Sequence, residues 1–180
     1  MHLAMTTSFI PPRRNIELKA RCPDLAAARV AAEGLGARRV GLLRQRDTYF
    51  IVPRGRLKLR ETDGQGAELI AYARADDVAA RASDYSLVPV PDPAALRAAL
   101  EMALGVRGEV VKERELWMWR NVRIHLDQVR GLGEFLEFEA VTGEGEADDV
   151  GHERVARLRE ALGVKDEDRV ARSYSDLMGL

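Results

Sequence analysis

The sequence predicts an α+β fold: an eight-stranded antiparallel β-barrel with a charged interior and helices packed outside. Three observations lead there. First, short runs alternate charged with apolar side chains. Asn15, Glu17 and Lys19 alternate with Ile16, Leu18 and Ala20; Arg56, Lys58 and Arg60 with Leu57 and Leu59. Arg123, His125 and Asp127 alternate with Ile124 and Leu126; Glu137 and Glu139 with Leu136, Phe138 and Ala140. A strand sends successive side chains to opposite faces, so each run has one apolar and one charged face. Second, short turn-forming segments separate the runs: Pro53-Arg54-Gly55, Asp63-Gly64-Gln65-Gly66, Arg120-Asn121 and Arg130-Gly131-Leu132-Gly133. Such short connections join antiparallel neighbours. Third, the chain repeats itself. PDLAAARVAAEGLGA from Pro23 is echoed by PDPAALRAALEMALGV from Pro91, an offset of 68 residues. Each half reads strand, helix, three strands, and two halves supply enough strands to close a barrel around one small ligand.

Taken in order, residues 1–13 are expected to form a flexible arm and 14–180 a single domain. IELKA is the first strand. A helix follows over 24–35, with Asp24 as N-cap and Gly34 or Gly36 as its stop. QRDTYF, LKLRE and ELIAYAR complete the first half. DYSLV opens the second half, and a helix spans 92–104, with Asp92 as cap, Pro93 at the first helical position and Gly105 as stop. KERELW, VRIHLD and EFLEFEA are the matching strands. The last helix runs over 148–162, starting at Asp148 or Asp149; its Val155, Leu158 and Leu162 recur at helical spacing.

Composition narrows the function. With 46% hydrophobic and 32% charged residues, the chain reads as a soluble globular protein. A net charge of -1 does not favour long-range attraction to nucleic acid or anionic membrane, so any basic site must be local. The lone cysteine, Cys22, allows no intramolecular disulfide and fits the cytoplasm. No signal peptide or membrane-length apolar run is visible.

Parity places Glu17, Lys19, Lys58, Arg60, Tyr72, Arg74, Lys112, Arg114, Arg123, His125, Asp127, Glu137 and Glu139 on the inner face. Trp117 and Trp119 have the other parity and are expected to pack between barrel and helix. A dry interior is impossible: moving one such ion into low dielectric has an idealised cost of about 20 kcal/mol. The lumen must hold water or a neutralising ligand. A triphosphate suits the basic groups, whose charge-assisted hydrogen bonds its oxygens accept. Bare carboxylates repel phosphate, and Mg²⁺ or Mn²⁺ between the two removes that conflict. His125 is expected to line the lumen, and Tyr174 to anchor the C-terminal segment.

The ordered series NIELKA, QRDTYF, LKLRE, VKER, RIHLDQVRGLGEFLEFE and RSYSDLMGL resembles the CYTH superfamily from Asn15 onward. That superfamily comprises class IV adenylyl cyclases, thiamine triphosphatases and inorganic triphosphatases. The resemblance implies an eight-stranded triphosphate tunnel and dependence on Mg²⁺ or Mn²⁺. It implies metal binding by Glu17, Glu137 and Glu139, and phosphate binding by Lys58, Arg60, Lys112 and Arg114. Lys19, Arg74 and Arg123 resemble further tunnel cations. Asp127 resembles an acidic residue that holds metal or orients substrate, so Lys112, Arg114 and Asp127 are the expected catalytic group. One departure stands out: Asn15 occupies the first acidic position of the ExExK signature. The activity implied first is metal-dependent hydrolysis of the terminal phosphoryl of an inorganic, nucleoside or other organic triphosphate. A class IV adenylyl cyclase, making cyclic AMP and pyrophosphate from ATP, and a polyphosphate- or nucleotide-binding module without turnover are the alternatives. The partner expected is tripolyphosphate, ATP or a similar small molecule, bound by a monomer or homodimer without nucleic acid or membrane.

Overall fold

Alternation of apolar and charged residues builds eight strands, and the capping signals place helices between them. The computed structural model describes residues 13–73, 81–142 and 147–180; residues 1–12 of the expected arm and Arg74 lie outside the described residues, and Arg13, expected in the arm, opens the first strand. The first half is β1 (Arg13–Arg21), α1 (Leu25–Gly34), β2 (Arg38–Phe50), β3 (Arg56–Thr62) and β4 (Gly66–Ala73). The second is β5 (Arg81–Val90), α2 (Pro93–Leu104), β6 (Val106–Trp119), β7 (Val122–Val129) and β8 (Gly133–Thr142), followed by α3 (Asp148–Ala161) and α4 (Tyr174–Leu177). The strands form a closed antiparallel barrel in the order β1-β5-β4-β3-β2-β6-β7-β8, with β8 pairing back onto β1. Exchanging β1–β4 with β5–β8 leaves every neighbour relation intact. The sequence repeat is therefore a pseudo-twofold relation that maps the β1–β5 and β2–β6 pairs onto themselves.

The helix starts follow their caps. Asp24 accepts a hydrogen bond from the Ala27 amide at 2.9 Å, and Asp92 from the Ala95 amide at 3.0 Å. Gly105 ends α2 with φ of 77°, a conformation that side chains disfavour. α3 starts at Asp148, as expected. Its N-cap is Ala147, and Asp148 and Asp149 lie in the first turn, where they complement the helix dipole. Asp148 is held by Arg14 of β1 at 2.8 Å, which ties the helix to the barrel rather than capping it. α4 has four residues, too few for a periodic signal. A reciprocal cap between Ser173 and Asp176 defines it.

The main apolar core lies outside the barrel. Ile16, Leu18 and Ala20 of β1, Trp117 and Trp119 of β6, Ile124 and Leu126 of β7, and Leu136 and Phe138 of β8 meet Leu25, Ala28 and Ala32 of α1 and Val155 and Leu158 of α3. Both tryptophans thus pack where parity put them. α3 approaches closely at Gly151, where a Cβ would lie 2.8 Å from Cγ1 of Ile16. On the other half, Leu96, Leu100 and Leu104 of α2 rest on Phe50, Leu59 and Ala67. Burying these outer faces leaves the charged faces of the same strands no direction but inward. Among the described residues, no helix is long and apolar enough to cross a membrane.

Candidate active site in the barrel lumen

The inward faces enclose a cavity of about 140 Å³. β1 contributes Asn15, Glu17 and Lys19; β2 Asp47 and Tyr49; β3 Lys58 and Arg60; and β4 Ile70 and Tyr72. β5 contributes Tyr85 and Leu87, β6 Lys112 and Arg114, β7 Arg123, and β8 Glu137 and Glu139. Ser173 and Tyr174 enter from the C-terminal segment. The expected lumen residues within the described chain line this cavity except two: Asp127 is wholly buried behind Arg114, and His125 lies beside Glu137 and Glu139.

The charges form two clusters. In the first, Asp47 is the hub. It accepts from Arg60 at 2.7 and 2.8 Å, from Lys58 at 3.1 Å and from Lys112 at 2.9 Å. In the second, the hub is Arg114. It donates from Nε to Asp127 at 2.6 Å, again to Asp127 from Nη2, and from Nη2 to Glu137 at 2.7 Å. Lys19 grips the other oxygen of Glu137 at 3.0 Å. The Tyr174 hydroxyl donates to Asp127 at 2.7 Å, and Lys19 sits 4.0 Å from the centroid of its ring. Tyr174, expected as an anchor, thus also forms a wall of the cavity.

Burial alone would discharge these groups, and their partners prevent it. For Asp47, burial pushes the pKa up, but Arg60, Lys112 and Lys58 outweigh it and hold the carboxyl well below its usual range. For Glu137, the attraction of Lys19 and Arg114 similarly overcomes burial. For Asp127, Arg114 does the same. Lys112 is the exception. Burial, aided by Arg60, Arg114 and Lys58, pulls it down to about 7 despite Asp47. Lys112 also borders a second cavity of about 770 Å³ on its far side, together with Gln45, Arg46, Glu61 and Arg130.

Asp47 was not among the sequence candidates, although it shares the inward parity of Tyr49 within QRDTYF. Its neighbours Arg46 and Thr48 are polar too, so the run shows no apolar face to reveal its orientation. Among the described residues, the buried lumen atoms without a hydrogen-bond partner include Asn15 Oδ1, the Tyr85 hydroxyl and His125 Nδ1. Orphaned buried acceptors beside carboxylates suit a bound cation. Glu137 and Glu139 line the cavity beside these atoms and could hold one, and Glu17 lines the same cavity.

The comparisons agree with this geometry. The PH1012 protein of Pyrococcus horikoshii is similar at 27% identity and a TM-score of 0.80, over 91% of this chain and 98% of that one. A candidate adenylate cyclase from Vibrio parahaemolyticus is similar at 22% identity and a TM-score of 0.75, over 92% and 98% of the two chains. HpAC1 from Hippeastrum, a candidate adenylyl cyclase with a dominant triphosphatase activity, shares the fold at 14% identity and a TM-score of 0.64, over 92% and 93%. No curated protein matches. The CYTH domain matches residues 13–174, nearly the whole chain. A closed barrel with a charged lumen, built from this sequence, places the chain in the CYTH family.

Proposed function

We propose that the lumen binds a triphosphate and that the protein hydrolyses its terminal phosphoryl group with the help of Mg²⁺ or Mn²⁺. The observation that carries this reading is the convergence of Lys19, Lys58, Arg60, Lys112, Arg114 and Arg123 on one cavity. A compact polyanion suits so many cations converging on so small a space. Lys58, Arg60 and Lys112 would clamp the phosphate chain from β3 and β6, with Arg114 beside Lys112 on β6. Asp47 and Asp127 hold those cations in place before the substrate arrives, so the site is organised in advance of the reaction. Glu17, Glu137 and Glu139 would hold the divalent ion, which offsets phosphoryl charge and lowers the pKa of water when bound. Tyr174, hydrogen-bonded to Asp127, keeps the Arg114 cluster rigid.

The test is a product assay with Mg²⁺ or Mn²⁺ on tripolyphosphate, ATP and thiamine triphosphate in turn. Orthophosphate that disappears in Glu137→Gln is the expected result. Cyclic AMP with pyrophosphate would replace the hydrolase reading by a cyclase. Tight triphosphate binding without any product would reduce the protein to a binding module.

A further inference from the structure

We infer that His125 completes a three-ligand metal site with Glu137 and Glu139, and that its imidazole shifts the site's preference from Mg²⁺ towards Mn²⁺. The inference rests on reading the lumen as a metal-dependent triphosphate site.

Strand pairing sets up the cluster. His125 of β7 lies directly opposite Glu137 of β8, and the next inward pair along the ladder is Arg123 opposite Glu139. His125 is 4% exposed, and its Nδ1 has no hydrogen-bond partner. That nitrogen stands 3.7 Å from Oε2 of Glu137 and 3.8 Å from Oε1 of Glu139. One ligand atom from each of the three residues lies within 4.8 Å of the others. These separations are too long for a hydrogen bond, which ends near 3.2 Å. They suit atoms sharing an ion. Ligands about 2.1–2.2 Å from one metal stand about 3.0 Å apart at right angles and about 3.7 Å apart at trigonal angles.

The surrounding cations leave this geometry open. Lys19 takes Oε1 of Glu137, and Arg123 approaches Oε2 of Glu139 at 3.5 Å. Oε1 of Glu139 is left facing the imidazole. Oε2 of Glu137 accepts from Arg114 at 2.7 Å, but a carboxylate oxygen has a second lone pair with which to ligate. The donor set is then one nitrogen and two oxygens. Mg²⁺ prefers oxygen in a near-ideal octahedron and sheds water reluctantly, whereas first-row transition ions accept imidazole readily.

The experiment uses the full chain and Mn²⁺ alone, without triphosphate. Free Mn²⁺ is followed by electron paramagnetic resonance, and the bound ion is examined by spin-echo modulation for directly coupled nitrogen. Native protein should show a ¹⁴N modulation that changes to the ¹⁵N pattern when histidine is labelled. It should vanish in His125→Gln, with the Mn²⁺-to-Mg²⁺ affinity ratio falling about tenfold. The labelling result decides even if that variant does not fold. Mn²⁺ that binds and is lost in Glu137→Gln, but shows no histidine coupling, would overturn the inference and leave the metal-dependent reading standing. Failure to bind Mn²⁺ at all would overturn both.

Discussion

Asp47→Asn removes one negative charge and little volume from the centre of a cation cluster. In the native protein that carboxylate is 1% exposed and answers Lys58, Arg60 and Lys112 at once. Removing one partner of a buried ionic set costs about 3–5 kcal/mol, because the remaining charges stay buried without compensation. For a chain of this size each kcal/mol moves Tm by about 2–4 °C, so Tm should fall by about 6–20 °C. The sign with pH is fixed as well. A carboxyl held below its usual range stabilises the fold above the unfolded pKa and stops doing so as pH falls through its own lowered value. The gap between native and variant should therefore be full at neutral pH and close in acid. Tripolyphosphate offers the orphaned cations a replacement anion, so it should raise the variant's Tm by more than the native protein's. Thermal unfolding with and without tripolyphosphate measures all three effects. Equal Tm values at pH 7, or equal rises with tripolyphosphate, would refute the view that Asp47 holds the phosphate-binding cations.

Other perturbations test the remaining parts of the site and fold. Lys112→Ala should lower kcat about 10²–10³-fold on whichever triphosphate is turned over; full activity would remove Lys112 from the site. With its pKa near 7, Lys112 is largely neutral at pH 8, and a bound polyanion would restore its charge. Tripolyphosphate binding should thus take up a proton at pH 8 and little at pH 6. Calorimetric heats that depend on buffer ionisation enthalpy at pH 8 would show this, and buffer-independent heats would contradict it. Lys112 also opposes folding below its unfolded pKa of about 10.4, so its share of stability should improve as pH rises from 7 to 10. Gly151→Ala would push a methyl to 2.8 Å from Cγ1 of Ile16. Overpacking of about 1–3 kcal/mol exceeds the roughly 1 kcal/mol gained in helix propensity, so Tm should drop. An unchanged Tm would mean that α3 shifts freely on β1.

The parts of the fold that could be read from sequence were those with a covered outer face. β1 has α3 on its outer side, so its inward Glu17 and Lys19 alternate cleanly with buried Ile16 and Leu18. The same holds for β7 and β8, which gave up Arg123, His125, Asp127, Glu137 and Glu139. In the middle of β2 the outer face meets water. Arg44 there is paired with exposed Glu113, and Arg46 faces Glu109. Polar residues on both faces erase the alternation, and Asp47 disappears into a uniformly polar run. α4 escaped for a different reason: a single turn has no period, and only its Ser173–Asp176 cap could have marked it. The start of α3 at Asp148 was legible, but not its tie to β1, because only the fold brings Arg14 within reach.

The pseudo-twofold symmetry bears on the proposal that the lumen holds both phosphate and metal. Asp47 on β2 faces Arg60 on β3, whereas Arg114 on β6 faces Asp127 on β7. The two pairs occupy corresponding places in the halves, 67 residues apart in each case, with the charges exchanged. In one half a single carboxylate organises a basic cluster; in the other a single arginine organises an acidic one. Had both halves kept the basic form, each with one carboxylate hub, the lumen would carry a large excess of positive charge and few carboxylates for a metal. Both in the acidic form would repel phosphate outright. Exchanged charges let the clusters neutralise each other across the cavity, consistent with a chain whose net charge is only -1. They also give the lumen a direction. Anionic oxygens are drawn towards Lys58, Arg60 and Lys112, and a divalent cation towards Glu137 and Glu139. A phosphate chain lying between them would meet both at once, which is the arrangement that metal-assisted phosphoryl transfer requires.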